Sequence, residues 1–210
     1  MRLTIQTFNM ENIAKQLAKN ADQAERALKQ TGNDMKARVP GLAATEVTEI
    51  YNIKKKEITP ASKPKAGAKP KKMAGSIKVV GQTVSSVTIE YTGRTLTPTH
   101  FAMKPKTRRI NKKRKHRKRT RPAPKKEITA EIKNGQRKSL GSHVFLGGNG
   151  GGGYIPFVRK GPGRDAELEA IRTVSMPQMI DNPKVREEIT EKVNVLLEKR
   201  LKHNIERFIK

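Results

Sequence analysis

The chain has 210 residues, with 46 Lys or Arg against 19 Asp or Glu, a formal net charge of +27. Only 34% of residues are hydrophobic and 4% aromatic, so one ordinary core is within reach, but self-repulsion makes it marginal without partners. There is no cysteine, which excludes disulfides, thiolate metal sites and cysteine catalysis.

Met1–Phe8 lacks the apolar run of a secretory signal, and no stretch reaches the ~20 apolar residues of a membrane helix. A soluble protein is expected. Met10 to about Arg38 reads as a helix capped by Asn9. Ala14, Leu17, Ala21, Ala24, Leu28, Thr31 and Met35 recur every three or four residues and so share one face. Pro40 is expected to break it, with a second, shorter helix from Gly41 to about Tyr51. Ile53–Lys72 is a linker by composition, with eight Lys, three Pro and one acid, Glu57.

Gly75–Gly93 predicts a hairpin turning at Gly81-Gln82-Thr83. The alternation Val87-Thr88-Ile89-Glu90-Tyr91 implies one buried and one wet face. Lys104–Lys126 holds fourteen Lys or Arg and no acid, contains prolines and has no usable period, so it reads as a loop or arm. Glu127–Ile132 alternates like a strand, and Asn134-Gly135 marks a turn. His143–Leu146 and Tyr154–Arg159 read as two strands of a hairpin around a glycine-rich tip. Pro183–Lys210 is the clearest helix: Asn182 caps it, Pro183 sits at its first position, and Val185, Ile189, Val193, Leu196, Leu197, Leu201, Ile205 and Phe208 form its apolar stripe.

The expected class is α+β: N-terminal helices, an antiparallel sheet of short strands, a long C-terminal helix and a basic flexible arm. The expected segments are 1–52 (helical), 53–72 (Pro/Lys-rich linker), 73–182 (β region, with arm 104–126 and Gly-rich loop 147–153) and 183–210 (C-terminal helix). Together they are read as one structural domain.

No catalytic constellation emerges. Gly148, Gly150 and Gly153 spell G-x-G-x-x-G, but Tyr154–Val158 after them is strand-like, whereas a dinucleotide loop must open a helix. His100, His116, His143 and His203 do not pair at metal-ligand spacing. Glu187, Glu188 and Glu191 lie near a helix start, where carboxylates suit the dipole and can pair with Lys184 or Lys192. No catalytic, cofactor or metal residue is assigned, and an enzyme is not expected.

The basic run supplies the candidate contact residues: Arg108, Arg109, Lys112, Lys113, Arg114, Lys115, Arg117, Lys118, Arg119 and Arg121. Such a segment binds phosphate backbone through counterion release, and without interleaved aromatics it would not read sequence. Contact with DNA or RNA, docking on an acidic protein neighbour, and a merely solvated loop all stay open. Leu17, Leu28, Met35, Leu197, Leu201 and Phe208 are the candidate packing or assembly residues.

Several segments, in order, resemble the minor tail protein Z family of long-tailed phages. They are Tyr51-Asn52-Ile53-Lys54-Lys55-Lys56-Glu57-Ile58, Gly75-Ser76-Ile77, Gly93-Arg94-Thr95-Leu96, Phe101, Gly135-Gln136-Arg137-Lys138, Val144-Phe145-Leu146 and Phe157-Val158-Arg159-Lys160-Gly161. The sharpest is Ser175-Met176-Pro177-Gln178-Met179. The basic run and the glycine tract are longer than the family pattern. The resemblance implies a structural virion protein, made in the host cytoplasm, that completes the tail or neck at the head-proximal end. Implied partners are the tail terminator, tail tube and head–tail connector, with a homo-oligomeric ring, six-fold to match the tube, and no membrane. A ribosomal-like nucleic-acid-binding protein is the alternative.

Overall fold

The computed structural model describes residues 2–6, 21–59, 75–82, 86–107, 127–148, 153–163 and 165–208. Asn9, Ala14 and Leu17, most of the Pro/Lys-rich linker, the bulk of the basic run and the glycine tip lie outside these residues. The chain is α+β, with helices and antiparallel sheets, and divides into two compact units that cut across the four sequence segments.

The first unit comprises residues 1–50, 54–94 and 175–210. Its sheet contains β1 (Arg2–Gln6), β2 (Gly75–Gln82) and β3 (Ser86–Gly93) in the order β1-β3-β2, all antiparallel. The predicted alternation holds: Val87, Ile89 and Tyr91 are buried with Leu3, Ile5, Ile77 and Val79. The other face is polar, where Arg2 meets Glu90 at 3.5 Å, Thr4 meets Thr88 at 3.3 Å and Ser76 meets Thr92 at 3.0 Å. The expected turn at Gly81-Gln82-Thr83 is corrected: Gly81 and Gln82 still pair with Thr88 and Val87. A bulge between Val79 and Gly81 takes up the extra residue inside the strand, leaving Val80 exposed.

Two long helices, α1 (Ala21–Ile50) and α3 (Pro183–Phe208), pack with that sheet; α2 (Met176–Ile180) is a short turn between β3 and α3. The expected break at Pro40 is corrected, because α1 runs through it. Val39, Ala43 and Val47 continue the spacing of Thr31 and Met35 across the proline, and all are buried. That burial outweighs the backbone hydrogen bond the proline cannot make. At the start of α3 the cap is as predicted: Asn182 Oδ1 accepts from the Lys184 amide at 3.2 Å.

The second unit comprises residues 51–53 and 95–174. In it β4 (Thr129–Lys133) and β5 (Gln136–Ser139) form a hairpin through Gly135, whose φ of 73° suits glycine. Strands β6 (Phe145–Gly148), β7 (Tyr154–Arg159) and β8 (Leu168–Ala170) form an antiparallel sheet centred on β7. A small apolar cluster of Met103, Ile128, Ala130, Val144 and Leu146, with Leu140, Tyr154 and Ile171 packed against it, is the core of this unit.

Candidate functional site

The ten candidate contact residues of the basic run lie outside the described residues, but the place where the run leaves and rejoins the fold does not. The Lys104 and Thr129 backbones exchange two hydrogen bonds, each of 2.8 Å, as an antiparallel pair. The residues between them are therefore an insertion whose ends stand about 5.5 Å apart at Cα. Met103 and Ile128, on either side of that insertion, are 1% and 4% exposed and belong to the same cluster, so both ends are anchored in one core. The Leu140 amide adds a 2.8 Å bond to the Ile128 carbonyl. Beside this root, Glu131 accepts from the Gly135 amide at 3.1 Å and from Arg137 at 2.9 Å. The Gly135 amide, the Asn52 side chain and Arg137 together hold the Glu131 carboxyl below the usual carboxylate range.

The glycine tract joins two antiparallel strands, with Gly148 paired to Tyr154. A strand follows where a dinucleotide loop needs a helix. Gly147 is required for a different reason: a Cβ there would stand 2.7 Å from the Phe157 ring. Phe157 in turn stacks on Phe145 with ring centres 6.4 Å apart, and the Arg159 guanidinium lies 5.3 Å from the Phe145 ring centre.

In the first unit, the candidate packing residues fall on the seam between α1 and α3. Leu201 is buried within it, Met35 and Leu197 are buried on α1 and α3, and Leu28 and Phe208 are partly buried against Ala24, Ala27, Leu201 and Ile205. Leu17 lies outside the described residues. Two polar inserts interrupt this seam. Near one end Asn204, 1% exposed, donates to Thr31 Oγ1 at 2.9 Å, and Thr31 donates to the Ala27 carbonyl at 2.8 Å. Fifteen residues further along α1, Glu46 is 3% exposed and receives Lys192 of α3 at 2.6 Å. The expected pairing of Lys192 with Glu188 exists, but at 4.0 Å it is the longer of the two.

Glu49 and Glu188 complete this second insert: carboxylate oxygens of Glu46, Glu49 and Glu188 lie within 4.8 Å of one another. Among the described residues this is the one group of three such side chains, and no histidine belongs to it. The hydrogen bond to Glu46, burial and the Glu46 charge push the Glu188 carboxyl above its ordinary range. The Glu46 carboxylate likewise holds the Lys192 ammonium above the usual lysine range. Charge spacing within one helix gives no sign of such a cluster, because its closest ion pair joins residues 146 apart in sequence.

Some of the segments that carry the family resemblance meet. A Cβ on Gly75 would strike the Thr92 carbonyl at 2.5 Å and Met176 Cβ at 2.8 Å, so β2 begins directly against α2. Ser175 caps α2 with a capping box to Gln178, and Met176, Met179 and Ile180 are buried. In the second unit Leu96 is 1% exposed and exchanges backbone bonds with Thr173 and Val174, and Phe145 pairs with Phe157. No protein-family model matches the chain, and neither curated proteins nor solved structures give a significant match.

Proposed function

We propose that this chain is a structural, non-enzymatic subunit of a long-tailed phage, of the minor tail protein Z kind, acting in tail completion and head–tail joining. The observation that carries the reading is the docking of Gly75 against Met176. Two motif segments a hundred residues apart thus form one buried joint, and the sharpest motif, Ser175–Met179, is a capped core element and not a surface tail. Pieces that contribute to one core constrain each other's sequence, which gives their shared order weight. In this reading copies of the chain form a ring, six-fold to match a tail tube. The basic insertion between Lys104 and Thr129 meets DNA or an acidic face of the terminator, tube or connector.

A basic nucleic-acid-binding protein of ribosomal type is the second reading, favoured by that same insertion on its anchored root. Size-exclusion chromatography with light scattering, at low and high salt and with or without duplex DNA, separates the two. A closed ring that persists in high salt is the expected result. A chain that stays monomeric at every salt concentration, and binds DNA at low salt alone, overturns the ring and moves the weight to the second reading.

A further inference from the structure

We propose that the α1–α3 seam is a proton-operated clamp, which takes up a proton between Glu46 and Glu188 on folding and so tightens as the solution becomes mildly acidic. The geometry brings carboxyls from opposite helices close together in a small space. The carboxylates of Glu46, Glu49 and Glu188 gather within 4.8 Å of one another, and Lys192 lies 2.6 Å from Glu46 and 4.0 Å from Glu188. Glu46 is the buried member, at 3% exposure, and Lys192 already satisfies it at 2.6 Å. Glu188 stands one turn before Lys192 on α3, 4.0 Å from its ammonium, and faces Glu46 across the seam.

The charges that face Glu188 are Glu46 and Glu49 from α1 and Lys192 from its own helix. On the 3-10 turn at Lys55–Glu57, Lys55 is held by Thr45 Oγ1 at 2.5 Å and so is tied to a hydroxyl instead of a carboxylate. Two like charges this close cannot both ionise without penalty, and one proton held between them converts repulsion into a carboxyl–carboxylate hydrogen bond. That proton comes from solvent when α1 and α3 close, and it returns to solvent when they part.

The sign follows from linkage. A carboxyl whose affinity for protons is raised on folding penalises the folded state when it is ionised, and the penalty is relieved as pH falls through its folded value. The seam therefore tightens as pH falls from neutral toward the ordinary glutamate range. The high net charge of the chain does not produce this pattern, because lowering the pH only adds to that repulsion.

Urea unfolding of the full chain, compared with Glu188→Gln and Glu49→Gln, tests the clamp from about pH 8 down to the ordinary glutamate range, about pH 4. The difference in midpoint between wild type and Glu188→Gln is expected to move in favour of wild type as pH falls, with Glu49→Gln keeping most of that movement. Parallel curves for wild type and Glu188→Gln overturn the proposal. A second reading, free of any stability change, is the carbon-13 titration of the Glu188 carboxyl in the folded chain. Its midpoint is expected above the ordinary glutamate range and to fall back in Glu46→Gln. A midpoint at or below that range sinks the clamp.

Discussion

The seam of α1 and α3 and the hairpin of β4 and β5 each hold a carboxylate in a network of neighbours, and the two networks are supplied in opposite ways. Around Glu188, among the described residues, acids dominate: Glu46 and Glu49 raise its affinity for protons and Lys192 opposes them. Around Glu131 there are donors in surplus: the Gly135 amide, Arg137 and the Asn52 side chain all favour its ionised form. The lesson is that a chain of extreme positive charge does not place its acids and bases uniformly. In one unit a carboxyl is pushed up and in the other a carboxyl is pulled down, so a single pH change acts on the two with opposite sign. The same seam also holds Asn204, which donates to Thr31 Oγ1 at 2.9 Å and to Asp34 Oδ2 at 3.4 Å.

The largest expected effect tests whether the seam depends on its apolar residues or on these polar inserts. Leu201 is fully buried among Ala24, Ala27 and Ile205. With alanines opposite, the site has little bulk to collapse inward. Leu201→Ala should cost about 3 kcal/mol of unfolding free energy, measured by urea titration at constant pH. A cost well under 1 kcal/mol would mean that the polar inserts, and not the stripe, hold the helices together.

A smaller pair of effects compares close approaches in the two units. At Gly75 a methyl group meets a backbone carbonyl, Thr92 O, and the Cβ of Met176, neither of which can swing aside. At Gly147 it meets the ring of Phe157, a half-buried side chain that can turn at the expense of its stacking on Phe145. Gly75→Ala should cost about 2 kcal/mol and Gly147→Ala about 1 kcal/mol. The reverse order would show that the β2–α2 joint yields more easily than the aromatic pair.

Much of the fold was legible because its strongest signals are local. The stripe from Val185 to Phe208 and the Asn182-Pro183 start define α3, and the alternation at Val87–Tyr91 defines β3 and its wet face. The miss at Pro40 arose from weighing one local breaker above a stripe that resumes at Val39, Ala43 and Val47. Strand β1 had a signal in Leu3 and Ile5, and α2 had one in Ser175-x-x-Gln178, but each is too short to stand out without the partner it packs on. The candidate site divides the same way. The basic run is visible as composition, whereas its anchoring by Met103 and Ile128 is a tertiary fact. Glu46 and Lys192 lie on separate helices, and nothing in the spacing of either helix says which charges will face each other across the seam.

The smallest expected effect sharpens the opening contrast most directly. Glu131 is lowered on folding, so its contribution is present at pH values above the ordinary carboxylate range and is lost as pH falls through its folded value. Glu131→Gln keeps the size of the side chain and most of its hydrogen-bonding reach but removes the charge. The variant should be slightly less stable than wild type at about pH 7, and the gap should narrow as pH falls below the ordinary carboxylate range. This is the opposite slope to that expected for Glu188→Gln, where the balance moves toward wild type in acid. Both variants remove one negative charge from a chain of net charge +27, so any effect of overall charge is shared by the two. Slopes of opposite sign can then come only from the immediate neighbours of each carboxyl. Slopes of the same sign would assign the pH dependence to the net charge of the whole chain and dissolve the distinction between the two networks.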